Sequence, residues 1–266
     1  MISQSIALTA AFAAVALGAA LPAVDSTKGS LEKRDHIEFL DIWQADNATE
    51  KYSRETDDAW KRVHLRFPMT IFGKSDTTVY FSMNGLISLG KPGIGRVLPS
   101  ESCTFGSSCL PDNTLALDWT DLYIPPESGS QSVAWTYHDA TLRPDIREHY
   151  HISWNVCAKG QPATATPGSC GDAARSFNLN YYKNKPGVFY IQYSAVGKKD
   201  FPKNYGVIGA QSLTSNEKLE FELPSKPSNV EEPFIVGGVD YSRARSCVII
   251  DTNKKTVTTP INDESC

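Results

Sequence analysis

The sequence predicts an all-β protein, an antiparallel sandwich stapled by disulfides. Three observations carry this. Short runs alternate apolar and polar residues at period two, as in Val133, Trp135 and Tyr137, the spacing that puts every second side chain on one sheet face. Gly, Pro, Asn and Asp clusters punctuate those runs, which is how hairpins and sheet crossings are written. No long stretch beyond residue 34 repeats at the 3.6-residue period of an amphipathic helix.

From Trp60 to Phe72, Val63, Leu65 and Phe67 alternate with His64 and Arg66 until Pro68 interrupts. Lys74 to Thr77 reads as a loop. Val79 to Gly90 reads as two strands joined at Asn84-Gly85, the pair that most readily takes the two positive φ values of a tight hairpin turn. Lys91 to Pro111, with its glycines, prolines and two cysteines, is a long loop of the kind that carries a function or a staple. Leu115, Leu117 and Trp119 alternate with Ala116, Asp118 and Thr120 in a buried strand. Four strands follow: Ser132 to His138, His149 to Val156, Ser176 to Tyr182 and Val188 to Ser194. The last two are joined by Lys183-Asn184-Lys185-Pro186-Gly187. Gly206 to Gln211, Glu217 to Leu223, Phe234 to Val239 and Cys247 to Asp251 close the fold.

The flanks read differently. Ile6 to Ala20 is apolar and Ala-rich and ends in Gly18-Ala19-Ala20, a signal-peptide pattern even though no Lys or Arg precedes it. It is short for a membrane span. Leu21 to Arg34 is polar and ends in the dibasic pair Lys33-Arg34, a processing site of kexin type. The arrangement resembles secreted fungal precursors. The expected layout is a signal peptide (1–20), a propeptide (21–34), an N-terminal arm or short helix (35–57), the sandwich (58–251) and a C-terminal tail (252–266). Six cysteines in a secreted chain argue for disulfides, and their spacing suggests Cys103–Cys109, Cys157–Cys170 and Cys247–Cys266. No CxxC or Cys/His spacing points to zinc. Asn47-Ala48-Thr49 is a glycosylation sequon. A net charge of -4 without a clustered Lys/Arg face argues against a nucleic-acid partner.

The ordered pieces Val79–Gly90, Asn113–Leu122, Tyr150–Val156, Phe177–Tyr193 and Tyr205–Gln211 resemble the extracellular nidogen-like (NIDO-like) β-sandwich module. The sandwich is therefore expected to be jelly-roll-like or nidogen-like. The departures are Leu115-Ala116-Leu117-Asp118-Trp119, where Pro and Phe are usual, and the insert from Cys157 to Cys170. The resemblance implies extracellular adhesion or ligand binding without chemistry of its own.

Candidate sites are few. Asp118 and Asp121, with Asp112 upstream, could bind Ca²⁺ through oxygen ligands, act as the acid/base pair of a glycoside hydrolase, or simply cap turns. His149 and His151 share a strand face and would need a third ligand, from His64 or His138, to hold a metal. Tyr123, Tyr182 and Tyr205 lie near loops and could stack on a sugar. No Gly-x-Ser-x-Gly elbow, HExxH or phosphate loop occurs. The expectation is a secreted, non-catalytic binding or adhesion module without a required cofactor. Its partner would be a cell-wall glycan, a matrix protein or a host surface. The alternative is a carbohydrate-active enzyme using Asp118 and Asp121. Oligomeric state is not legible in the sequence.

Overall fold

The structure, a computed structural model, describes residues 38–43, 56–93, 97–125, 131–141, 147–159, 170, 173–196, 206–222, 235–236, 239–240 and 246–259. The chain divides between Arg34 and Asp35, and every described residue lies on the C-terminal side. Lys33, Arg34, Asn47, Tyr205 and Cys266 lie outside the described residues.

The strands are β1 (Glu38–Trp43), β2 (Thr56–Asp57), β3 (Trp60–Ile71), β4 (Lys74–Ser82), β5 (Leu86–Leu89), β6 (Thr114–Trp119), β7 (Leu122–Ile124), β8 (Ser132–His138), β9 (His149–Ala158), β10 (Ala174–Tyr182), β11 (Val188–Val196), β12 (Val207–Ser212), β13 (Glu217–Glu222), β14 (Ile235–Val236), β15 (Val239–Asp240), β16 (Ser246–Asp251) and β17 (Thr256–Thr258). Among the described residues they form two main antiparallel sheets and a β14–β15 ribbon. The larger sheet runs β1-β8-β9-β10-β11-β16-β17, with β7 joined to β9 and β2 to β7. The smaller runs β13-β12-β6-β5-β4-β3. The all-β antiparallel sandwich is thus the observed fold.

Its core follows from the alternation. β10 places Phe177, Leu179 and Tyr181 inward and leaves Ser176, Asn178, Asn180 and Tyr182 half-buried on the outer face. These inward residues, with those of β8, β9 and β11, meet Leu65, Phe67, Val79, Phe81, Leu115 and Leu117 of the smaller sheet in one cluster. Phe67 stacks on Tyr150 at 4.2 Å between centroids, and such pairs contribute about 1 kcal/mol beyond area burial. β3 loses register between His64 and Met69, around the exposed Pro68 expected on an edge strand. Two tyrosine hydroxyls from the opposite sheet supply acceptors there. Phe67 N–H donates to Tyr150 (2.8 Å) and Thr70 N–H to Tyr181 (2.9 Å).

The structure corrects several expectations. Residues 38–43 form β1 and pair with β8, so the N-terminal arm or short helix contains a strand of the larger sheet. β17 pairs with β16, so the sheet continues past residue 251 into the expected tail. Lys74 to Thr77 belong to β4. The hairpin turn with two positive φ values is Phe72-Gly73 (φ 47° and 79°), closed by the Ile71–Lys74 pair. In the Asn84-Gly85 turn only Gly85 is positive (φ 72°). Gly85 N–H donates to Ser82 O at 3.3 Å, giving a three-residue loop, Met83-Asn84-Gly85, that ends in a left-handed glycine. A Cβ on Gly85 would run into the Asp118 backbone.

Candidate functional site

The three aspartates singled out in the sequence do not converge. Asp118 is completely buried and faces Arg175, its Oδ2 lying 3.8 Å from Nε. Arg175 falls on the inward phase of β10, in line with Phe177 and Leu179, so the pair joins the two sheets across the interior. Burial pushes the Asp118 carboxyl up, and the Arg175 charge offsets part of that. Asp118 has no accessible surface, whereas Asp121 lies among other carboxylates. Removing one partner of the Asp118–Arg175 pair is costly because it strands the other charge.

Asp112 is a turn cap. Its Oδ1 accepts from Leu213 N–H (2.7 Å), Thr214 N–H (3.2 Å) and Ser212 Oγ (3.2 Å), and its Oδ2 from Thr214 Oγ1. Desolvation pushes this carboxyl up, but those hydrogen bonds outweigh it and hold it below the usual carboxylate value.

Asp121 instead meets Asp57 and Asp58, three carboxylates whose oxygens lie within 4.8 Å of one another. These oxygens are of the kind a hard cation takes, yet Lys159 Nζ already contacts Asp57 Oδ2. Asn84 organises this end. Its Nδ2 donates to Asp58 Oδ1 (2.8 Å), and its Oδ1 accepts from Leu122 N–H (2.9 Å). Asn84 is therefore a clamp between two loops, a role that turn chemistry alone did not disclose. Asp112, Asp118 and Asp121, considered from the sequence as possible Ca²⁺ ligands, stay apart, and the carboxylates that come together are Asp57, Asp58 and Asp121.

The loop from Lys91 to Pro111 covers the outer face of the smaller sheet. Beneath it lies a second apolar cluster that includes Leu86, Val97, Phe105, Leu110, Ala116 and Trp119. Trp119 donates its indole N–H to Val97 O (2.9 Å) and meets Phe105 edge-on at 5.6 Å. Gln211, fully buried, accepts from Gly106 N–H (2.8 Å) and donates to Pro111 O (3.0 Å). The Cys103–Cys109 disulfide closes the loop. Cys157–Cys170 is also formed. Cys247 is disulfide-bonded, its expected partner Cys266 lying outside the described residues.

Between this loop and the ends of β4 and β5 at Lys74 and Leu89 opens a cleft of about 940 Å³. Leu89, Pro92, Leu98, Leu110, Pro111 and Leu213 supply its apolar wall, and Lys74, Asp76, Lys91 and Asp112 its charged lining. Asn113 also lines it, held at φ 54° with its amide Oδ1 buried and without a hydrogen-bond partner. No aromatic ring is among the described lining residues.

The expected tyrosines separate. Tyr123 is half-buried with Lys159 Nζ 5.9 Å from its ring centroid. Tyr182 lies on the outer face of the larger sheet, beside His149 (5.1 Å) and Tyr190 (5.4 Å). His138 is the neighbour that the sequence could only nominate. It pairs with His149 across β8 and β9, the rings stacked at 4.3 Å and 6°. Stacked rings send their in-plane lone pairs out side by side, so the pair does not converge on one ion. The residues that sequence reasoning missed are Asp57, Asp58, Lys159, Arg175 and Lys185. Only Arg175 had a local signal, its position on the inward phase of β10.

No protein-family model matches the chain, and no curated protein or solved structure matches it either. No helix among the described residues is long and apolar enough to cross a membrane.

Proposed function

We propose that this chain is a secreted, non-catalytic extracellular binding module that grips an extended segment of a partner protein in the cleft under the disulfide loop. The observation that carries this reading is the cleft itself. It has an apolar wall with few charged groups, the composition of a recognition site, and its loop is pinned by Trp119, Gln211 and Cys103–Cys109. A pinned loop loses little conformational entropy on binding, which favours recognition by a pre-formed surface. A described lining without an aromatic ring favours a matrix or host protein over a glycan at this position. The burial of Asp118 weighs against the carbohydrate-active alternative. The resemblance to the nidogen-like module points the same way.

The test is a screen of the purified chain against a displayed library of extended peptides, with Leu98→Arg alongside. Peptides selected by the wild type should lose about tenfold or more in affinity when the arginine enters the apolar wall. Equal binding by the variant, or an empty screen, would overturn the reading.

A further inference from the structure

The outer face of the larger sheet carries an arrangement unrelated to the cleft. His138, His149 and Tyr182 are direct cross-strand partners on β8, β9 and β10, and Tyr190 of β11 meets Tyr182 edge-on. These three rings follow one another at the sheet pitch of about 4.8 Å, close to the advance per residue of an extended hexopyranose chain, while Tyr190 is buried and sits one row over, opposite Asn180. Beside it run hydrogen-bonding side chains. His151 Nδ1 lies 2.8 Å from Asn180 Oδ1, and Ser153, Asn178 and Gln192 form the next register row.

The charge of this face is opposite to that of the chain. Lys183 and Lys185 flank the row from the β10–β11 turn. Lys185 donates to the Tyr190 hydroxyl at 2.5 Å and lies 4.7 Å from its ring centroid. Arg147 precedes β9. Against these three cations stand two carboxylates among the described side chains. Glu148 binds Lys183 (2.9 Å) and Tyr137 (2.8 Å), and exposed Asp139 is bonded to Thr141. On the neighbouring β16, Asp251 is paired with Lys254. A local excess of positive charge on a chain of net charge -4 selects an anion. Three of the chain's five histidines gather here, and imidazole is the side chain that gains charge between about pH 7 and 5. His149 Nδ1 lies 2.6 Å from Arg147 O. A carbonyl only accepts, so Nδ1 carries the proton and Nε2 takes the next one, becoming a second N–H donor.

We propose that this row is a second binding site, for an acidic polysaccharide, and that its affinity rises as the solution becomes acidic. The rings and amides meet the sugar, Lys185 and the imidazolium groups meet its carboxylates, and the cleft takes no part.

The experiment is calorimetric titration of the whole chain with polygalacturonate and with its uncharged methyl ester, at about pH 5 and about pH 7.5, either side of the ordinary imidazole value. The acidic polymer should bind roughly tenfold tighter at the lower pH, and the ester weakly with no pH dependence. His138→Gln combined with His149→Gln and His151→Gln should flatten that dependence. Tyr182→Ala should weaken binding at both pH values, and Leu98→Arg in the cleft should leave it intact. Melting curves for each variant exclude loss of fold, and a folded Lys185→Gln chain provides an independent weakening. Equal binding of polymer and ester, pH dependence surviving in the triple variant, loss of binding in Leu98→Arg, or binding confined to anionic phospholipid vesicles would each overturn the proposal.

Discussion

The two outer faces of the sandwich are built on opposite plans. On the smaller sheet, β6 is buried along its whole length, because the core covers one side and the Lys91–Pro111 loop the other. On the larger sheet, β9 and β10 keep the clean alternation of a sheet with one open face. The covered face gains a second core and a cleft. The open face gains a row of polar and aromatic side chains fixed by strand register. Shape is made on the first by a loop folding over, and on the second by cross-strand pairing alone.

The contrast is broken most severely at Trp119. Its ring fills the space under the loop and its N–H holds Val97. Trp119→Ala should therefore cost about 3–5 kcal/mol, a fall in Tm on the order of 10 °C, and should collapse the cleft. Tyr182→Ala on the open face leaves no comparable void and should cost well under half as much. Denaturant unfolding of the two variants measures the difference, and similar losses would mean that the two faces are equally packed. A smaller effect is expected at Cys103–Cys109, which closes a loop of sequence separation 6. Its chain-entropy contribution is about 2 kcal/mol. Cys103→Ser with Cys109→Ser should lower stability by that amount or less and weaken cleft ligands. Binding on the larger sheet should stay unchanged in the same titration.

The open face was the legible one. In Ser132 to His138 and Ser176 to Tyr182 the period-two pattern is a direct record of burial, and both segments became strands within two residues of the expected bounds. The covered face hid its organisation. Every residue of β6 is buried, so the pattern does not tell which face Asp118 takes, and a residue open to reading as a ligand, an acid/base group or a turn cap is an interior carboxylate. The turns were misread for a related reason. Phe is a poor residue for positive φ, so nothing in Phe72 announced it. Phe72 is held there by core packing and by its N–H bond to Thr252 Oγ1 (3.2 Å). Convergence is also illegible, because Asp57 and Asp121 come together only once β2 pairs with β7. His138 and His149 carried the right strand phase, but their stacking depends on register, which a single sequence does not print.

The smallest effect expected concerns the open face and its histidines. Burial, followed by the His151 charge, holds His138 below the ordinary imidazole value. Burial also holds His149 down. The Arg147 carbonyl pulls the other way, and repulsion from His138 and His151 adds to the depression. A depressed histidine pKa means that the unfolded chain binds protons more readily between the folded value and about 6.5. The stabilisation is therefore complete above about 6.5 and is lost as the pH falls through the folded value. Because these side chains are half-exposed, solvent screens the effect, and a fall in Tm of about 2 °C or less is expected between pH ~7.5 and pH ~5. Asp118, held above its ordinary value, contributes with the opposite sign as the pH falls. The quantity to measure is thus the wild-type pH slope minus that of His138→Gln with His149→Gln. A positive remainder, stability lost on acidification only when the histidines are present, is the expected result. A slope unchanged by the double substitution would show that the stacked pair is electrostatically indifferent to folding. An acidic polymer bound on the same face should reverse the remainder, because it favours the protonated rings that folding alone disfavours.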